Sequence, residues 1–213
     1  ANCMWSRALH VDGGDLGATV AAESIPCLPC PATIEAWFEM DDDRGYWDLY
    51  DIPSYAFSTF GARAFHAASF MGGVLSSDTW DGIVPGTWHH WAVSCWREDE
   101  DEWSQASFLD GRFEGGVTGT EHPASCNPPM SIGDALLSLS GGSIDDLRFS
   151  DQALYVGHYS DFTPRRRLTV RDVTVALWDF DEEFLGTLRD ASGNGHDALL
   201  VDGTLVRDDC HQP

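Results

Sequence analysis

The sequence predicts an all-β protein, a sandwich of two antiparallel sheets, on three observations. Glycine (21 residues) and aromatics (9 Trp, 11 Phe, 5 Tyr) are plentiful, while long runs of strong helix formers are scarce, which favours short strands joined by turns. Two segments alternate apolar and polar residues with period two, the mark of a strand with one face on a core. Within Ala106–Phe113, Asp110-Gly111 supplies the positive φ angles that a tight hairpin demands. A chain of 213 residues suffices for one such sandwich with a sizeable core. No boundary marks a second unit, so residues 1–213 are read as a single domain.

The elements follow in chain order. Thr33–Met40 puts Ile34, Ala36, Phe38 and Met40 on one face and Thr33, Glu35, Trp37 and Glu39 on the other, so a half-buried strand is expected. The polar run Asp41–Gly45 reads as an exposed loop. Trp88–Trp96 is the second alternating strand, with Trp91, Val93 and Cys95 opposite His90, Ala92 and Ser94. Arg97–Glu102 is another charged loop; the Asp110-Gly111 hairpin comes next, and Ser131–Gly133 and Gly142–Ser150 are further strands. In the last of these, alternation places Asp145 on the same face as Leu147 and Phe149.

Charge and cysteine content bound the function. The chain carries 35 acidic residues against 12 basic ones, all arginine, for a net charge of −23. A polyanionic nucleic acid is excluded as partner, because the one basic cluster, Arg165–Arg167, is short and is read as pairing with nearby carboxylates. Such self-repulsion calls for bound or screening cations, through Asp-rich calcium sites or a surface suited to salt, unless the surface is simply acidic and soluble. No apolar run approaches the ~20 residues of a membrane span, so a soluble chain is expected, and no signal-peptide pattern is present, so any export signal is expected to have been removed or never included. Six cysteines, Cys3, Cys27, Cys30, Cys95, Cys126 and Cys210, are spread along the chain, which suggests disulfides and an extracellular setting. Cys27-Leu-Pro-Cys30 also matches a redox C-x-x-C. That motif opens a helix, however, and here Pro26, Pro29 and Pro31 surround it and a strand follows.

Four strings in order, Ala8-Leu-His-Val-Asp-Gly-Gly-Asp15, Thr33-Ile-Glu-Ala-Trp-Phe38, Gly86-Thr-Trp-His-His-Trp-Ala-Val93 and Gly142-Ser-Ile-Asp-Asp-Leu-Arg-Phe149, resemble the laminin-G-like, concanavalin A-like lectin/glucanase domains over roughly residues 8–160. The resemblance implies a jelly-roll sandwich and leaves function to the sites grafted on it. The tail departs from the family order. Val175–Asp181, Asp190–His196 and Ala198–Gly203 look like the piece that usually opens such a domain, ahead of the edge strand. Residues 170–210 are therefore expected to close the fold beside the N-terminal strand, stapled by Cys3–Cys210. Cys27–Cys30 and Cys95–Cys126 complete the preferred set, although sequence alone leaves all 15 connectivities open.

A calcium site is the foremost candidate for chemistry, since loops rich in Asp, Asn and Gly bring oxygens together. Asp145 leads, because a carboxylate on an apolar face needs a partner and the resembled family carries an acidic ligand on that strand; Asp12, Asp190 and Asn194 are its candidate partners. The competing reading is that Asp12 and Asp190 cap turns. Tyr46, Trp47, Trp80 and Trp103, in polar, loop-like contexts, are candidate ligand-binding aromatics, or else a satellite cluster over one end of the core.

Catalysis is not expected. The paired glutamates of retaining glucanases are absent, and Glu35 and Glu39 lie ~13 Å apart along an extended strand. There is no Gly-x-Ser-x-Gly elbow, and His89 and His90 point to opposite faces. The chain is thus expected to be an extracellular, non-catalytic binding module with structural Ca2+, recognising glycan or a cell-surface protein. The alternatives are a self-assembling surface or fibre subunit that pairs with neighbours by strand addition, and, least supported, a glycoside hydrolase of the same fold.

Overall fold

The computed structural model describes residues 6–21, 28, 30–42, 46–52, 55–60, 64–68, 74–77, 83–100, 102–119, 130–134, 141–156 and 161–208. Strands, turns and extended segments account for them, with no helix among the described residues. The first sheet contains β1 (Ser6–Val11), β3 (Ala32–Met40), β8 (His89–Arg97), β9 (Trp103–Leu109), β10 (Arg112–Gly119), β12 (Gly142–Ser150), β13 (Thr174–Trp178) and β17 (Thr204–Asp208). Its order is β10-β9-β8-β3-β12-β1-β17, with β13 on the second half of β12. The second sheet contains β2 (Leu16–Val20), β4 (Tyr46–Ile52), β5 (Tyr55–Phe60), β6 (Ala64–Ala68), β7 (Val74–Ser77), β11 (Met130–Asp134), β14 (Glu183–Phe184), β15 (Thr187–Leu188) and β16 (Ala198–Leu200). It runs β14-β15-β16-β2-β11-β4-β5-β6-β7. All these pairings are antiparallel, and the chain is a two-sheet sandwich.

The core forms where the alternating residues meet. Ile34, Ala36, Phe38 and Met40 of β3 and Trp91, Val93 and Cys95 of β8 face Ala18, Val20, Met130 and Ile132 of the second sheet in one buried cluster. The other face of β3 is buried too, contrary to the half-buried strand expected. Residues 151–156 and 161–173, which have no regular structure, lie across the outer face of the first sheet. Phe162 stacks on Tyr155 (3.9 Å between centroids) and meets Phe108 and His90 edge-on. Trp37 Nε1 donates to Arg165 O (3.0 Å), and Leu168 and Leu177 pack on the Trp37 ring. The alternation is real, but a third layer covers its polar side.

Glu35, fully buried on that covered face, is held by an ionic cluster. Its Oε1 accepts from Arg148 Nε (3.1 Å) and Nη2, and its Oε2 accepts from His90 Nε2 (3.1 Å) and the Tyr155 hydroxyl (2.8 Å). Arg148 Nη1 donates to Thr169 O (2.8 Å), which ties the covering segment to the sheet. Burial alone would raise the Glu35 pKa, but His90 and Arg148 outweigh it and hold the carboxyl at about 2. Burial and the adjacent Glu35 carboxylate raise the Tyr155 phenol, so its hydroxyl stays a donor.

A β-bulge in β12 overturns the face assigned to Asp145. Asp145 pairs with Trp37 and Arg148 with Glu35, so one residue of β3 opposes two of β12, and Asp146 takes the left-handed conformation (φ 52°). Ile144, Leu147 and Phe149 therefore face the core, and Asp145 shares the outer face with Arg148. Period-two counting fails by one residue there.

The hairpin between β9 and β10 turns through Asp110 (φ 50°) and Gly111 (φ 77°) as expected. Gly111 also docks the covering layer: its carbonyl accepts from the Phe162 N–H (2.8 Å), and a Cβ there would lie 1.8 Å from Phe162 O. Gly111→Ala is expected to cost about 1–3 kcal/mol in backbone strain alone, and more from the collision, read as a lower midpoint in denaturant melts.

The disulfide assignment is corrected. Cys30 bonds Cys95, not Cys27, and Cys95 is thereby unavailable to Cys126 (Cα–Cα 5.6 Å, 65 residues apart in sequence). The register explains it, since Ala32 opposes Cys95 and the chain entering β3 passes beside the end of β8. Cys3, Cys27, Cys126 and Cys210 lie outside the described residues.

The tail divides between the two sheets: β13 and β17 join the first, and β14 to β16 extend the second beyond β2. β17 runs antiparallel to β1, from Ser6 opposite Asp208 to His10 opposite Thr204. This arrangement places the start of β1 beside the turn at 179–181.

Candidate functional site

An open cleft of about 720 Å³ lies between the start of β1 and residues 181–197. One wall is the β14–β15 hairpin, whose two turn residues, Leu185 (φ 53°) and Gly186 (φ 80°), are both left-handed. That tight reversal leaves Phe184 76 % and Leu185 85 % exposed. Both side chains thus contribute little to the core and are open to contact from outside. On the sheet face, Phe184 is aligned with Thr187 and, one strand further, with Leu199, itself exposed.

The cleft is lined also by an Asp-centred loop. The Asp190 carboxylate gathers Leu177 N (3.0 Å) and Ser192 N (2.9 Å) on Oδ1, and Ser192 Oγ (2.8 Å) and His196 N (3.1 Å) on Oδ2. Burial would raise its pKa, but these donors, the Leu177 N–H foremost, bring it below the ordinary value. Asn194 Nδ2 donates to Val175 O (2.9 Å), and Asp190 N donates to Asp197 Oδ1 (2.9 Å). The loop is therefore pinned to β13 and to its own far end, and it presents Gly193, Gly195 and Asp197 to the cleft.

The base joins the two ends of the fold. Arg7 N donates to Asp181 Oδ1 (2.9 Å), and its guanidinium Nη2 to Asp181 O. Arg167 donates to Asp181 Oδ2 (3.0 Å) and Ser6 Oγ (3.0 Å) and reaches Asp146. Despite part burial, these carboxylates raise the Arg167 pKa, so it is a permanent cation. The expectation that the triplet pairs with carboxylates thus holds for Arg167. Arg165 and Arg166 are exposed. Arg189 Nη1 donates to Glu182 Oε2 (2.8 Å) along the rim.

The residues singled out from sequence do not assemble into one site. Asp145 is fully buried, accepting from Ser6 Oγ (3.3 Å) and Asp146 N (2.7 Å). Asp12 lies beyond the end of β1, mostly exposed, with its carboxylate 3.5 Å from His10. Asp190 and Asn194 share the cleft loop, where Asp190 behaves as a turn-capping aspartate and Asn194 directs its amide N–H groups at carbonyls. Among the described residues no three His, Cys, Asp or Glu side chains are grouped to hold a metal ion. The oxygens of Asp145 and Asp190 are engaged by N–H and O–H donors, so these residues as placed do not fit a calcium ion.

The aromatic candidates also change context. Tyr46 and Trp47 begin β4 and Trp103 begins β9, so all three stand in strands and not in loops. Trp103 packs at the margin of the core under the Arg97 guanidinium (5.6 Å to the ring centroid). Trp80, and the side chains of Tyr46 and Trp47, lie outside the described residues. Phe184, Thr187, Arg7 and Arg189 escaped the sequence reading. The available signal was Glu182-Glu183-Phe-Leu-Gly186, an apolar pair set between charges and a turn glycine.

A family model of laminin G type, described as the concanavalin A-like lectin/glucanases superfamily, matches residues 12–158. No curated protein matches the sequence. Among solved structures, the native heptameric SAP-like pentraxin from Limulus polyphemus aligns with a TM-score of 0.50 at 14 % identity, over 73 % of this chain and 80 % of the pentraxin. The receptor-binding domain of botulinum neurotoxin type G gives 0.46 at 10 % identity, over 73 % of this chain and 49 % of that one. Domains LG4-5 of the mouse laminin α1 chain give 0.44 at 17 %, over 75 % and 48 %. The chain spans about half the length of the last two. At these identities the likeness is one of fold. The cleft lies outside the 12–158 match.

Proposed function

Since the chain belongs to the concanavalin A-like lectin/glucanases superfamily, we propose that it is a non-catalytic extracellular binding module for carbohydrate, with its ligand seated in the cleft at Phe184. The carrying observation is the 76 %-exposed Phe184 ring on the wall of a cleft furnished with guanidinium, carboxylate and hydroxyl groups. A pyranose has an apolar C–H face and a rim of hydroxyls; it needs an aromatic platform and a few fixed polar groups, and this cleft offers both. The Cys30–Cys95 bridge supports an oxidising compartment, and so a secreted or cell-surface setting.

Two features favour binding over hydrolysis. Glu35, the glutamate at the centre of the first sheet, is sealed from solvent and spent on Arg148, His90 and Tyr155. In the cleft, Asp181 and Asp190 are held by N–H, hydroxyl and guanidinium donors, so neither is poised as the acid or nucleophile of a hydrolytic pair. Self-assembly by donation of the last strand has less support, because β17 is already paired with β1 of its own chain.

On a glycan array the chain is expected to bind, and Phe184→Ala to weaken that binding about tenfold, the worth of one stacked ring. The melting temperature should barely move, since the ring contributes little to the core. An array with no hit for the intact chain would overturn the carbohydrate reading.

A further inference from the structure

We infer that the cleft selects an uncharged pyranoside and rejects sialylated, uronic and sulfated glycans. The inference rests on the carbohydrate reading above and adds the ligand's charge class to it. Five carboxylates line the cleft against two guanidiniums, those of Arg7 and Arg189, within a chain of net charge −23. An anionic sugar therefore meets a repulsive field both on approach and at the site.

Each guanidinium is already partly engaged by a group of the cleft. Arg7 is turned onto Asp181 O at the base of the cleft. Arg189 spends Nη1 on Glu182 at the rim. A carboxylate or sulfate that reached the remaining N–H groups of Arg189 would lie beside Glu182 as a like charge.

What the cleft does offer suits hydroxyls. Asp197 has Oδ1 on the Asp190 N–H, with Oδ2 as a further acceptor, and Thr187 adds a hydroxyl near the Phe184 ring. A carboxylate at the rim of an aromatic platform accepts hydrogen bonds from sugar hydroxyls while the C–H face lies on the ring. A neutral sugar meets these groups without any ionic cost.

The test uses the full chain with three matched probes by calorimetry: a neutral disaccharide glycoside found on the array, its sialylated form and its sulfated form. The neutral form is expected to bind at least tenfold tighter than either acidic form. Its affinity should change less than twofold from about 0.1 to about 1 M NaCl, where the screening length falls from roughly 10 to 3 Å, while the deficit of the acidic forms narrows. Phe184→Ala should weaken all three, and Asp197→Asn should reduce the preference for the neutral form. Equal or tighter binding of an acidic form, lost in Phe184→Ala, overturns the charge selectivity and leaves the glycan reading intact. Absence of binding by any probe overturns the reading together with the inference.

Discussion

Replacing Glu35 by glutamine is expected to lower the unfolding free energy by about 3–5 kcal/mol, the cost of leaving one partner of a buried ion pair uncompensated. Glu35 and Arg148 are both fully buried, and the Arg148 guanidinium also donates to the Thr169 carbonyl. Denaturant melts of Glu35→Gln, of Arg148→Met and of the double variant separate the causes: the double variant should recover much of the loss, because with both charges removed neither is left buried without its counter-ion. A single-variant loss below about 1 kcal/mol would show the pair to be solvated after all.

The same carboxylate sets the acid limit. Its pKa is lowered from 4.5 to about 2 in the folded protein, so its stabilisation is complete above pH 4.5 and is lost as pH falls towards 2. A melting temperature followed across that window should fall in the intact chain and fall less steeply in the double variant.

Removing the Cys30–Cys95 bridge by substituting both cysteines with alanine is expected to cost about 4 kcal/mol, from the conformational freedom that a 65-residue loop regains in the unfolded chain. The two sulfurs also sit within the core, and alanine leaves part of their volume empty. Guanidinium melts of the variant and of the intact chain with and without reductant check this. Equal midpoints would mean that Cys30 and Cys95 are not bonded in the protein as isolated.

Local chemistry was legible in the sequence and non-local chemistry was not. Asp110-Gly111 declared its turn because the signal and the structure occupy the same two residues. The core faces of Thr33–Met40 and Trp88–Trp96 were legible for a similar reason, since alternation reports which side meets the opposite sheet. It says nothing of a third layer made of irregular chain, and so the burial of Glu35 beneath residues 151–156 and 161–173 was missed. Asp145 was misplaced because a bulge is a single φ reversal, here at Asp146, and aspartate is among the few residues that tolerate it without announcing it. The Cys30–Cys95 bond depends on the register between β3 and β8, which no spacing reveals. The cleft is the extreme case. Arg7 and Phe184 are far apart in the chain and meet only because the start of β1 lies beside the 179–181 turn.

The ladder between β1 and β17 has a mechanical consequence. Ser6, the first residue of β1, faces Asp208, the last of β17, so the chain leaves both strands at the same end of the ladder. With Cys3 and Cys210 unbridged, tension carried through the flanking chain would load these pairs one after another, opening the ladder like a zip, whereas strands that leave at opposite ends share the load in shear. Parting begins at Ser6 and Arg7, the residues that hold Arg167 and Asp181 at the base of the cleft. A pull on the chain would thus loosen the binding surface before it reached the sandwich behind it.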